Sequence, residues 1–224
     1  MSVLASTREE QSFEAFYEGW LARQENLLEQ MLSVMPDAGE QQRRLIEQVL
    51  CHYQQFLEEK SMLANADVFL LFSAPWLSAY EKALLWIGDY KPSLILRLAD
   101  AAVQGLTPEQ RERLDRVRDN TKRAEREVSE AMASVQETMA SPRVVRLVRV
   151  VNGEITEQET ALERLKEALK RVCESADELR ASTMRKVVEI LSPPQTVQLL
   201  AATMHFQVRV RRLGLYRDQV GPSR

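Results

Sequence analysis

Glycine, proline, cysteine and histidine are all scarce in this chain, with 7 Gly, 8 Pro, 2 Cys and 2 His among 224 residues. So few turn residues exclude a fold of many short strands and point to long regular elements, and hence to an all-helical protein. Cys51 and Cys173 form at most one bridge, so no disulfide framework shapes the chain. With only His52 and His205, a histidine-built acid–base or metal site has almost no material. The neighbours Cys51 and His52 point about 100° apart on a helix, an awkward arrangement for sharing a metal. Long apolar runs are missing too. The greasiest stretch, Val68-Phe69-Leu70-Leu71-Phe72, stops at Ser73-Ala74-Pro75, so no membrane span is expected. The start of the chain reaches Arg8-Glu9-Glu10 without a secretory pattern, and a nuclear or cytosolic protein is expected.

The usual chemical signatures are absent as well. The chain has no Gly-rich phosphate loop, no Gly-x-Ser-x-Gly elbow and no His-Glu-x-x-His, and no pair of carboxylates stands out as an acid–base dyad. No enzyme activity, resident cofactor or metal is therefore expected. Nor is there a helix-turn-helix, zinc-finger or basic-zipper pattern, so autonomous DNA binding is not expected either.

What is present is an ordinary globular composition, 45% hydrophobic and 28% charged. A chain of this size buries roughly 70% of its unfolded surface. The net charge of -3 hides an asymmetry: residues 1–142 carry 15 basic and 23 acidic side chains, residues 143–224 carry 15 and 10. The basic excess of the second part is open to two accounts, steering of an acidic partner or contact with the first part.

Periodicity predicts one helical-bundle domain over 6–218, with a seam near Gly105 and a frayed tail at 219–224. A first helix starts near Ser6-Thr7, where Thr7 and Glu10 have the form of a capping box, and runs to Pro36. A second follows Asp37-Ala38-Gly39 and carries Leu45, Ile46, Val49, Tyr53 and Phe56 to about Leu63. A shorter helix bears Tyr80, Ala83, Leu84 and Ile87 and stops at Gly88; another opens at Pro92-Ser93 and ends near Gly105. Thr107-Pro108-Glu109 is the clearest helix start. From it a stripe of Leu114, Val117, Thr121, Ala124, Val128 and Val135 defines a rod over about 107–140. Leu162, Leu165, Leu169, Val172, Ala176, Thr183 and Val187 define a second over about 156–191, and the two should lie antiparallel. The link 143–151 reads equally as a helical turn or a short strand. A last helix spans Val197 to Leu213 and is ended by Gly214.

Two features offer partner contacts. Arg209, Arg211 and Arg212 form a basic cluster fit for phosphate or an acidic partner, although a solvated face explains it as well. Phe13, Phe16, Tyr17 and Trp20 put four large aromatics on one side of the first helix; such stripes are usually core, yet they also supply anchors for a partner's pocket.

Several blocks carry a resemblance. Tyr17-Glu18-Gly19-Trp20-Leu21, His52-Tyr53, Lys60-Ser61, Asp67-Val68-Phe69, Pro75-Trp76 and Glu81 to Ser93 resemble the plant seed-dormancy-control, or delay-of-germination, family. Leu106-Thr107-Pro108-Glu109-Gln110, Ala176 to Arg180 and Leu191-Ser192-Pro193-Pro194-Gln195 continue it in order to about Asp218. The same domain forms the C-terminal part of TGA-type bZIP transcription factors, and without a basic region or zipper this chain resembles the stand-alone members. The resemblance implies an all-helical domain able to form a homodimer and a regulatory role in seed dormancy and abscisic-acid signalling. It further implies binding of a type 2C protein phosphatase by the aromatic helix, with Tyr17 and Trp20 at the matching positions. The transcription-factor branch suggests the alternative of a transcription-associated module acting with DNA-bound partners. A third alternative is a sensor for an apolar ligand or haem, since some members hold a lipid chain and some bind haem through a histidine pair. The positions matching that pair are Gln207 and Arg211, with His205 two residues off, so haem is not carried over.

Overall fold

The computed structural model describes residues 2–35, 38–139 and 155–220. Among the described residues there are seven helices: α1 (Ser2–Ser33), α2 (Gly39–Ser73), α3 (Ala79–Lys82), α4 (Ser93–Ala102), α5 (Pro108–Met139), α6 (Ile155–Val188) and α7 (Pro193–Val220). Among the described residues the only β feature is an isolated antiparallel bridge between Trp86 and Asp89. The fold is all-α, as the scarcity of turn residues implied. The link 143–151 and the last residues 221–224 lie outside the described residues.

The two long rods are there and run antiparallel. Thr121 of α5 meets Thr183 of α6 at 3.3 Å between hydroxyls, while Gln110 at the start of α5 reaches the carbonyl of Ile190 just beyond the end of α6. Thr107 begins α5 as expected: its hydroxyl accepts the N–H of Gln110 at 3.1 Å and its own N–H donates to the Gln110 carboxamide at 3.0 Å.

Leu191-Ser192-Pro193-Pro194-Gln195 repeats one half of this device at the start of α7. The Ser192 N–H donates to Gln195 Oε1 at 2.9 Å, and the two glutamines then clasp each other, Gln110 Nε2 donating to Gln195 Oε1 at 2.8 Å. Gln195 Nε2 also donates to the carbonyl of Gly105 at 3.1 Å. Beside this clasp, Leu96 and Ala99 of α4, Leu114 of α5, Val187 of α6 and Leu199 of α7 form one core cluster. A second joins Leu28 and Met31 of α1, Ile46 and Val49 of α2, and Leu200, Met204 and Val208 of α7. A third is aromatic and joins α1, α2, the segment after α2, and α6.

Element boundaries differ from expectation where distant partners intervene. Helix α1 begins at Ser2, so Thr7 lies inside it rather than at its cap. Helix α2 runs past Leu63 but breaks at Asp67 (φ -152°, ψ 95°), whose carboxylate accepts the N–H groups of Phe69 and Leu70 and so restarts the helix. The helix expected through Ile87 is a single turn, Ala79–Lys82, started by a capping box between Ser78 and Glu81. Beyond it Ile87 and Gly88 take positive φ values of 49° and 73°, and the chain wraps around a side chain of α6. Helix α7 starts at Pro193 and passes straight through Gly214. That glycine is needed for contact, not termination: a Cβ there would lie 2.0 Å from the hydroxyl oxygen of Ser78.

Candidate functional site

Helix α1 lies antiparallel on α2. Trp20 stacks flat on the ring of His52, with centroids 4.5 Å apart and planes 6° from parallel, and its indole N–H donates to the His52 carbonyl at 3.0 Å. One turn earlier Tyr17 sits beneath the Arg211 guanidinium, 5.6 Å from its ring centre. Phe13 packs on Trp76 at 4.5 Å between centroids. Phe13, Tyr17 and Trp20 are buried and Phe16 is half-buried against the same cluster. The aromatic stripe therefore faces the interior, and the outer face of this part of α1 is Glu14, Ala15, Glu18 and Gly19.

Beneath the stripe lies a cavity of about 330 Å³. Its apolar wall includes Phe13, Tyr17, Trp20, Phe56, Leu85 and Met184; its polar end includes Lys60, Glu81, Asp89, Tyr90, Arg180 and Gln207. The polar end is held by three sets of contacts. Lys60 is only 1% exposed, and its ammonium donates to Asp177 at 2.7 Å with Asp89 at 3.9 Å. Arg180 also donates to Asp177, at 2.5 Å, and spends its remaining donors on the carbonyls of Trp86, Ile87, Asp89 and Tyr90. That carbonyl cage holds Ile87 in its strained backbone conformation. A second ion pair joins Arg211 to Glu81 at 3.0 Å, Arg211 donating as well to the Trp76 carbonyl at 2.8 Å. Gln207 collects two donors, the Tyr53 hydroxyl at 2.9 Å and the Gln24 amide at 2.8 Å.

Titration follows burial. Burial raises the phenols of Tyr17, Tyr53 and Tyr90 well above the usual tyrosine range, and nearby carboxylates add to this. The same desolvation lowers the His52 imidazole to about 4, with Arg23 contributing, and pushes the Cys173 thiol up to about 11. Around neutrality the site offers neutral phenols, a neutral imidazole and charges already paired. It supplies hydrogen bonds and apolar enclosure. Among the described residues no group of three His, Cys, Asp or Glu side chains is placed to hold a metal ion.

Haem does not fit the residues present. Of the two positions that matter, Gln207 carries an amide already engaged with Tyr53 and Gln24, and Arg211 is a cation paired with Glu81. His205 is exposed. The arginine trio does not converge: Arg211 turns inward, Arg212 is exposed and pairs with Glu25 at 3.1 Å, and Arg209 is exposed. The polar end of the cavity was not foreseen. Its signal was the charged pair Asp177 and Arg180 set i, i+3 within the apolar register of the second rod, together with Lys60 on the face of α2 that carries Tyr53, Phe56 and Leu63.

The fold and site define an all-α domain that encloses a cavity with one polar end beneath an aromatic helix. The chain belongs to the seed dormancy control family. The model of that family matches residues 24–101, and the model of the LTXXQ motif family matches residues 101–203, which include Leu106-Thr107-Pro108-Glu109-Gln110. Protein RESPONSE TO ABA AND SALT 1 of Arabidopsis thaliana is 38% identical, covering 93% of this chain and 97% of that protein. Protein ZW2 of the same plant is 35% identical, over 93% of this chain and 99% of its own length. Transcription factor TGA7 of Arabidopsis thaliana is 29% identical over 90% of this chain and 55% of its own length.

Proposed function

We propose that the chain is a non-enzymatic regulatory module of seed dormancy and abscisic-acid signalling, in the nucleus or cytosol, that binds a type 2C protein phosphatase through the aromatic helix α1. The observation that carries this reading is the apolar face of α1: Phe13, Phe16, Tyr17 and Trp20 fall within eight residues, a pattern suited to a partner's groove. The likeness to a relative named for its response to ABA and salt supports the pathway. The test is binding of a panel of plant type 2C phosphatases to wild type and to Phe16→Glu, chosen because Phe16 is half-buried where the other three aromatics are buried. At least one phosphatase binds wild type, and Phe16→Glu weakens it about tenfold or more while its helical spectrum is unchanged. Equal binding of both, or binding of neither, refutes the reading.

The cavity favours a second reading, a sensor for an apolar ligand. Native mass spectrometry of the purified chain separates the two: a mass increment removed by denaturation supports the sensor, and the bare polypeptide alone speaks against it.

A further inference from the structure

Helix α1 is anchored in two separate places. Its later half enters the core through Leu28 and Met31, locked against α2 and α7. Its earlier half enters a different cluster through Phe13 and Tyr17, which stand on the wall of the cavity and so are packed incompletely on one side. The polar ties are distributed just as unevenly. Trp20, Gln24 and Glu25 each hydrogen-bond across to α2 or α7, whereas among the described residues none of 8–18 makes a side-chain hydrogen bond or ion pair. The earlier half is held by apolar packing of its rings against neighbours such as Trp76 and by the Arg211 guanidinium over Tyr17, with no side-chain hydrogen bond among the described residues.

Gly19 divides the two halves. It is exposed in mid-helix, and a Cβ built there meets nothing within 4 Å. Glycine at this position serves neither close packing nor a left-handed turn, and it weakens the local helix about fivefold relative to alanine. It is where α1 is easiest to interrupt.

We propose that the part of α1 before Gly19 is a hinged strap, which undocks as a unit and carries Phe13, Phe16 and Tyr17 to an apolar groove of a partner protein while Trp20 stays behind as the pivot. This rests on α1 being the recognition element, and it resolves how residues buried in the free protein reach a partner. The strap carries Glu9, Glu10, Glu14 and Glu18 against the single cation Arg8, so the groove it fits has a basic rim. Exposing two large aromatics leaves the open state on the order of one molecule in a thousand, and apparent affinity falls by that fraction.

Hydrogen exchange on the full chain, without any partner, tests the hinge. Amides of 11–18 exchange through one shared opening, faster than those of 22–33, and Gly19→Ala slows them together by about fivefold. Association with any phosphatase that binds slows by a similar factor in Gly19→Ala, because fewer molecules are open. Exchange of 11–18 as slow as 22–33 overturns the strap. So does exchange graded residue by residue toward the terminus and indifferent to Gly19→Ala, since that is fraying. The readouts separate the two ideas: a shared opening with no phosphatase bound leaves the strap and removes the proposed function, and binding without a shared opening does the reverse.

Discussion

The joint of α4, α5, α6 and α7 and the aromatic layer under α1 are both buried, yet they are built to different standards. At the joint each polar group that enters is met: Gln195 receives the Ser192 N–H and the Gln110 amide and gives its own protons to backbone carbonyls and to Gln110. Around it Leu199 is fully enclosed and Leu96 nearly so. In the aromatic layer a cavity of about 330 Å³ persists, and Gln24 Oε1 and His52 Nε2 are buried with no hydrogen-bond partner among the described residues. The joint allows one geometry. The aromatic layer keeps slack and unmet polar atoms, which is what a surface that must open or admit a guest requires.

The largest way to break this contrast acts on the link between the regions. Lys60→Ala removes the ammonium that neutralises Asp177 and Asp89 and leaves Arg180 alone against both carboxylates. Breaking such a buried pair costs about 3–5 kcal/mol, seen as a lower urea midpoint. Loss of less than about 1 kcal/mol would show the network to be dispensable.

Next comes pH, through His52. Its folded-state imidazole is held near 4, against an ordinary 6.5, so the unfolded chain takes up the proton first. Stability owed to neutral His52 is complete above about 6.5, declines as pH falls, and is gone below about 4, a total of roughly 3 kcal/mol. The measurement is the difference between wild type and His52→Gln in urea titrations at several pH values, which cancels the groups that the two share. Wild type should show the steeper acid-side decline; parallel curves would mean that His52 does not titrate between those limits.

How far these regions could be read in the sequence depended on range. The rods were legible because their 3-4 stripe is also their contact surface: Leu114, Thr121, Val172, Ala176 and Val187 are all buried. Thr107-Pro108-Glu109 was legible because a cap needs only near neighbours. The helix expected through Ile87 failed because Arg180, about ninety residues on, draws the carbonyls of that segment to itself, and periodicity carries no trace of such a partner. Gly214 misled for the same reason, its meaning lying in Ser78. The aromatic stripe on α1 was plain, with Tyr17 and Trp20 at its centre. That it lines a cavity was not, because the polar end is assembled from α2, α3, the segment after it, α6 and α7.

A smaller effect is expected at the joint itself. Gln195→Ala strands the Ser192 N–H and the Gln110 amide and should cost about 2 kcal/mol, with the loss shared by Gln110→Ala rather than added to it in the double variant. Additive losses would mean that the two glutamines stabilise their helix starts separately.

The finest probe adds volume rather than removing it. Leu85 is half-buried on the cavity wall, and Leu199 is fully enclosed at the joint. Leu85→Phe has room to turn into the void, where new contacts replace none, so it should be neutral or stabilising by up to about 1 kcal/mol. Leu199→Phe has no such space and must displace Leu96, Ala99 or Val187, at about 1–3 kcal/mol. The sign of the Leu85 change is what matters. If it destabilises as much as Leu199→Phe, the aromatic layer has no slack, and neither a guest nor an opening of α1 has room beneath it. If it stabilises while slowing exchange in 11–18, the void is what loosens the earlier half of α1, and filling it closes the strap.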